Sequence, residues 1–231
     1  MKEKLDFYSR LLIGSLLFGL FFGAGNLIFP VHMGQLAGSN TLKATIGFLI
    51  TGVGLPLLGV IASAISQRES LYDMAKPVSR AYSIFFTCIL YLTIGPLFAI
   101  PRTATVAFEI GMSPFIEEEY IQIGLFVFSL VFFAITLYFS LKPGRILDWV
   151  GKYLTPVFLV LLSVLLFATY IKPIGRVSQF EPQESYVDKA FFTGMLEGYN
   201  TMDALASLAF AIVIISNIEK LGVKNPKEKA I

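Results

Sequence analysis

The sequence predicts an all-α integral membrane protein with six transmembrane helices, and three observations carry that prediction. Of 231 residues, 55% are hydrophobic, 22 are Phe, and the mean hydropathy is +0.73. Only 15% are charged, against about 25% in ordinary soluble domains. The apolar residues also cluster into six stretches, at 9–29, 42–65, 81–109, 120–141, 150–171 and 188–217. At a rise of about 1.5 Å per residue, each is long enough to cross roughly 30 Å of hydrocarbon as a helix. No soluble domain interrupts them, so residues 1–231 read as a single membrane domain.

Span one follows a short charged amino terminus. It is longer than a signal-peptide core and lacks a clear small-residue cleavage site. Its centre is FFGAGNLIFP at 21–30. Glycine costs about 1 kcal/mol relative to alanine inside a helix, and an asparagine amide in hydrocarbon needs partners. Gly23, Ala24, Gly25 and Asn26 therefore suit an interruption better than an unbroken span, and Pro30 is expected to end or kink the outer half. Backbone freed at mid-membrane depth is tolerated only inside protein or along a cavity. Secondary transporters build substrate and ion sites from such broken helices. The N–H groups opening the outer half attract an anion, and the carbonyls closing the inner half attract a cation. Gly14 and Gly19 fit close helix packing.

Span two carries Gly47, Gly52, Gly54, Pro56 and Gly59, a packing and flexing surface. Span three contains Pro96 and Pro101, expected to kink it. Arg102 falls toward the outer leaflet, where it either snorkels to the surface or forms an outer gate with Glu109 or a span-six carboxylate. Thr103 and Thr105 bond locally or face a cavity. Cys88 packs in an apolar run. Span four is a plain apolar helix. At the start of span five, Trp149 and Tyr153 fit an interfacial anchor.

Span six repeats the pattern of span one, with Glu197, Gly198, Tyr199, Asn200, Thr201 and Asp203 near mid-span. Ionisable residues inside a membrane are costly and usually functional. Glu197 either contributes to a site or pairs with Arg102 as a structural bridge. Asp203 either gates or caps the inner half-helix. Gly198 supplies freedom for a break. Phe21, Phe22 and Tyr199 are candidate apolar walls.

Thirteen of the 18 Lys and Arg residues lie on one side: Lys2, Lys4 and Arg10; Arg68, Lys76 and Arg80; Lys142, Arg145 and Lys152; and Lys220, Lys224, Lys227 and Lys229. Lys43, Lys172, Arg176 and Lys189 lie on the other, with Arg102 inside span three. This bias places both ends in the cytoplasm. The tail at 220–231 reads like the start of a linker to a seventh span. A net charge of +2 gives no support for a nucleic-acid partner. One cysteine excludes an intrachain disulfide and a cysteine metal cluster. His32 stands alone in an outer loop. With no phosphate-binding loop and no Ser/His/Asp set, neither an ATP-driven pump nor an enzyme is indicated, and no cofactor is implied. Any driving energy comes from an ion gradient.

On the segments FFGAGNLIFP, IGPLFAIPRTATVAFE (94–109) and LEGYNTMDALASLAF (196–210), the chain resembles the branched-chain amino acid:cation symporters, the bacterial BrnQ-type carriers. The resemblance implies uptake of leucine, isoleucine and valine with sodium or protons. It implies a shared fold of two inverted five-helix repeats, the amino acid–polyamine–organocation fold, with broken first and sixth helices. It further implies that the backbone of Gly23, Ala24 and Gly25 holds the substrate carboxylate, with Glu197, Gly198, Tyr199 and Asn200 opposite. Asn26 and Phe21 would hold one sodium ion, and Gly19 and Phe22 half of a second. Thr193 and Thr201 would also contribute to ion binding and mark two registers for the span-six break, of which the one at 197–201 is preferred. Arg102, Glu109 and Asp203 would gate. Family members run to about twelve spans, so the chain is expected to hold the first repeat plus one helix. It is expected to be a truncated, fragmentary or split form that pairs with a second polypeptide, or else an inactive remnant or interaction subunit.

Overall fold

A computed structural model describes residues 6–66, 68, 70–141, 152–173, 175 and 179–220, and these form helices with no strand among them. In chain order the helices are α1 (Phe7–Phe21), α2 (Ala24–Ala37), α3 (Thr41–Leu49), α4 (Leu55–Ser66), α5 (Leu71–Ala75), α6 (Arg80–Leu92), α7 (Ala99–Gly111), α8 (Ile121–Ser140), α9 (Thr155–Ile171), α10 (Tyr186–Asn200) and α11 (Asp203–Lys220).

Five helical stretches among the described residues are long and apolar enough to cross a membrane: Ala24–Ser66, Arg80–Phe115, Glu118–Ser140, Lys152–Ile171 and Tyr186–Glu219. The expected count of six does not emerge by that measure. The first expected span is divided, leaving α1 with 15 residues, and α2 runs on toward α3 and α4. The 43-residue stretch Ala24–Ser66 would be about 65 Å long as one rod. It is not one rod, because Gly38 leaves the helix at φ 47° and ψ −127°. A side chain on Gly38 would also run into the backbone of Phe180 and Glu181, so glycine is required there on both counts.

Two further stretches widen locally into a π-type turn. Ile50–Gly54 joins α3 to α4, and Thr93–Leu97 joins α6 to α7 across a non-helical Gly95. The kink expected in span three is thus at 95–98. Pro101 does not kink its helix. It is the third residue of α7, where the missing N–H costs little. Pro30 likewise lies within α2, which continues to Ala37 rather than ending there. Trp149 and the tail beyond Lys220 lie outside the described residues. Tyr153 is exposed.

Small residues set the tightest packing. Beta carbons on Gly47 of α3 or Gly194 of α10 would strike the opposing helix's backbone at Phe191 and Ala44. Thr51 donates from Oγ1 to the Met195 carbonyl at 2.6 Å and ties the same seam. Around it Met33, Ala37, Ala44, Phe48, Tyr186 and Ala190 form one core. A second core joins Ile13 of α1 to Ile214 and Ile218 of α11. Gly59 of α4 meets Ser207 of α11. Gly14, expected to pack, has nothing within 4 Å of where a Cβ would sit. The two-part stretches α1/α2, α3/α4 and α10/α11 therefore pack as one bundle. No residue of α8 is buried, and only Thr155 of α9 is.

Candidate functional site

The first interruption falls at Phe22 (φ −76°, ψ 94°) and Gly23 (φ −109°, ψ −175°), three residues before Asn26. Gly25 and Asn26 lie in the first turn of α2. Asn26 closes that turn, its Oδ1 accepting from the Gly23 N–H at 3.0 Å while its own N–H donates to the Gly23 carbonyl at 3.1 Å. This leaves the last carbonyls of α1 and the first N–H groups of α2 outside one continuous ladder.

The second interruption is a correction to the expected register. Glu197, Gly198, Tyr199 and Asn200 are all helical residues of α10, and the chain leaves the helix only at Thr201 and Met202. Met202 has φ 65°, the left-handed region that disfavours side chains. Gly198 is used for packing instead: its Cβ would strike Phe48, Thr51 and Gly52. Thr201 donates from Oγ1 to the Gly198 carbonyl at 2.8 Å and accepts from the Asp203 N–H at 3.4 Å. Asp203 opens α11 and is 6% exposed.

The two interruptions meet. Asn26 Nδ2 donates to Asp203 Oδ2 at 2.5 Å. A Cβ on Gly25 would sit 3.4 Å from the Thr201 Cα, ordinary contact distance. Beside this junction is a cavity of about 150 Å³. Its polar wall is Gly23, Ala24, Gly25, Asn26, Arg102, Thr103, Thr201 and Asp203. Its apolar wall is Leu20, Phe21, Ile94, Ala99, Met202, Ala206 and Phe210. Arg102 is the one basic side chain in the lining, and Asp203 the one acidic side chain. Arg102 donates from Nη1 to the Asn200 carbonyl at 3.3 Å. Its guanidinium also lies 4.6 Å above the Phe29 ring. Cation–π contact of this kind is worth about 0.5–2 kcal/mol. Among the described residues Arg102 forms no ion pair, so the bridge to Glu197 or Glu109 is not made.

Of the residues singled out from sequence, Phe21, Gly23, Ala24, Gly25, Asn26, Arg102, Thr103, Thr201 and Asp203 come together at this cavity, the Thr103 hydroxyl donating locally to the Ile100 carbonyl at 2.6 Å. Gly19, Phe22, Glu109, Thr193, Glu197, Gly198, Tyr199 and Asn200 do not line it. Phe22 stacks on Phe18 at 4.7 Å and meets Phe158 at 5.2 Å. Thr193 donates to the Lys189 carbonyl at 3.0 Å, two turns before the break. Glu109 and Tyr199 are exposed. Met202, Ala206 and Phe210 were not singled out. Phe210 and Ala206 follow Asp203 at helical spacing, a signal that placing the break at 201–202 would have exposed.

Five helical stretches long and apolar enough to cross a membrane, three of them bordering a small amphiphilic cavity, are those of a multi-pass membrane protein. The profile of the family described as branched-chain amino acid transport protein matches residues 7–231, and the chain belongs to that family. It is 51% identical over 231 residues to the branched-chain amino acid permease BrnQ of Lactobacillus delbrueckii subsp. lactis, covering 100% of this chain and 52% of that protein. It is 45% identical over 228 residues to BrnQ of Bacillus subtilis, with 99% and 51% covered. Against BrnQ of Escherichia coli K12 the identity is 41% over 223 residues, with 96% and 50% covered. The chain spans about half the length of the curated relatives it matches. No solved structure matches it.

Proposed function

We propose that this chain supplies the amino-terminal half of a secondary carrier that takes up leucine, isoleucine and valine with sodium or protons. The observation that carries the proposal is the cavity between two helix interruptions, joined by the hydrogen bond between Asn26 and Asp203. In this reading the substrate carboxylate rests on the N–H groups opening α2, at Ala24 and Gly25, with help from the helix dipole. The α-ammonium lies toward Asp203. The branched side chain lies against Phe21, Ile94, Ala206 and Phe210, where full burial contributes about 1.5–3 kcal/mol. A cavity near 150 Å³ is about the size that admits benzene, which suits a six-carbon amino acid.

The ion belongs, in the same proposal, to the carbonyls ending α1 at Gly19, Phe21 and Phe22, with Asn26 and Thr201. Arg102 serves as the outer gate through Asn200 and Phe29. The names of the relatives support the substrate class. The lysine and arginine bias supports cytoplasmic termini, and the paired interruptions support the inverted-repeat fold. A cycle of alternating access is assigned to the assembly that includes the other half, whether on the same polypeptide or a second one.

Equilibrium binding tests this directly. The purified chain in lipid nanodiscs is expected to bind radiolabelled leucine, with isoleucine and valine competing and lysine and glutamate failing to compete. Binding that ignores the amino-acid side chain, or none at all, would overturn the substrate assignment.

A further inference from the structure

We propose that Met202 is the adaptable side of the cavity, the residue that lets one site accept leucine, isoleucine and valine alike. The assignment deepens the carrier reading given above and rests on it.

Met202 occupies a position that does not suit methionine. It lies one residue past Thr201, the C-cap of α10, and has φ 65°. Its N–H donates to the Tyr199 carbonyl at 2.9 Å, which closes the last turn of α10. Helices that end this way place glycine there, or asparagine, because a β carbon is strained in the left-handed region. The Met202 carbonyl then accepts from the Ala206 N–H at 2.9 Å, the bond that opens α11. Serine, threonine, aspartate and asparagine are favoured at that second position, and a thioether supplies no cap. The end of one helix and the start of the next thus both disfavour the same residue. Among the described residues the other non-glycine with positive φ is Glu184, exposed in the polar loop before α10. Met202 is instead half-buried and forms part of the apolar wall of the cavity. Non-glycine strain of this kind persists where the side chain is needed, and it gathers at ligand sites.

The rest of that wall is stiff. Leu20 and Phe21 pack against the core of Ile13, Ile214 and Ile218. Phe21 also meets Phe210 edge-on at 5.8 Å. Ile94 is branched at its β carbon, which restricts χ1, and Ala99 and Ala206 have no rotamers. Methionine is unbranched, has three rotatable bonds and a polarisable sulfur, and refills gaps of changing shape. Leucine branches at its γ carbon, isoleucine and valine at the β carbon, and valine is one carbon shorter. A wall of fixed shape fits one of the three closely and leaves a void beside the others. A thioether that repacks closes that void, which is how methionine-rich surfaces serve several partners.

Two variants of the full chain in lipid nanodiscs test this. Met202→Gly removes the wall and relieves the strain. Leucine binding is expected to weaken about 10-fold, phenylalanine to gain at least as much relative to leucine, and the thermal midpoint to stay level or rise. Met202→Leu keeps the volume but not the suppleness. It should shift the leucine-to-valine affinity ratio about fivefold or more. In the wild-type chain, bound leucine should slow peroxide oxidation of Met202 to the sulfoxide, read by peptide mass spectrometry. Oxidation of Met112, exposed at the end of α7, should be unchanged. The inference is overturned if leucine does not protect Met202, or if Met202→Leu leaves the ratio unmoved. It is overturned too if the midpoint of Met202→Gly falls together with its leucine binding, the mark of a packing residue. A wild-type chain that binds leucine no better than either variant removes the inference and keeps the carrier reading. A wild-type chain that binds no leucine removes both.

Discussion

Asn26 engages both ends of its amide, Oδ1 toward Gly23 and Nδ2 toward Asp203, so one side chain caps α2 and fixes the start of α11. Removing it leaves Asp203 buried without its partner. A hydrogen bond to a charged group contributes about 1.5–3 kcal/mol. Asn26→Ala is therefore expected to weaken leucine binding roughly 10- to 150-fold, measured on chain whose helicity by circular dichroism is unchanged. An unaltered affinity would take Asn26 out of the site. The importance of this residue was legible in the sequence, because an asparagine between glycines inside an apolar span has few other uses. Its partner was less legible. Asp203 lies 177 positions away, and nothing in the local pattern selects it over Glu197, the other carboxylate of the same span. Burial at the mouth of α11 makes that choice.

At the scale of elements, glycines marked two different things. Gly23 sits at an interruption, whereas Gly47, Gly52, Gly194 and Gly198 are helical and let α3 and α10 approach closely. Sequence alone does not separate these uses, since both ask only for a missing side chain. That is why the second break was expected at Gly198 and is found at Met202, whose left-handed φ carries no sequence signal. Overpacking a seam of this kind costs about 1–3 kcal/mol. Gly194→Val, whose added carbons meet the Ala44 backbone, should lower the thermal midpoint in detergent by several degrees, about 2–8 °C. Gly14→Ala, which faces open space, should leave it level or raise it, helix propensity favouring alanine by about 1 kcal/mol. Equal losses at both positions would show that the seam is not where the bundle is held.

For the molecule as a whole, the class was clear from composition, whereas five helical stretches, not the six expected, are long and apolar enough to cross a membrane among the described residues. The number of crossings was harder to read, because an interrupted helix and two helices in sequence share one hydropathy profile. Neither α8, with no buried residue, nor α9, with one, is covered by the described residues. Lipid or further protein is the natural cover for surfaces this apolar. Leucine uptake by cells lacking their own carriers is expected only when the chain is co-produced with a polypeptide matching the remaining half of the Lactobacillus relative. Equal uptake by the chain alone would refute the division of labour proposed above.

The clasp between Asn26 and Asp203 also has a schedule. Ribosomes deliver roughly 5–20 residues per second, so the 177 residues separating the two side chains take roughly 9–35 s to emerge. For that interval the early amide must enter the bilayer without its eventual mate, relying on Gly23 alone or on borrowed water. This polar junction is thus sealed late in synthesis, and helpers of membrane insertion that shelter polar groups have work to do at this point in its biogenesis.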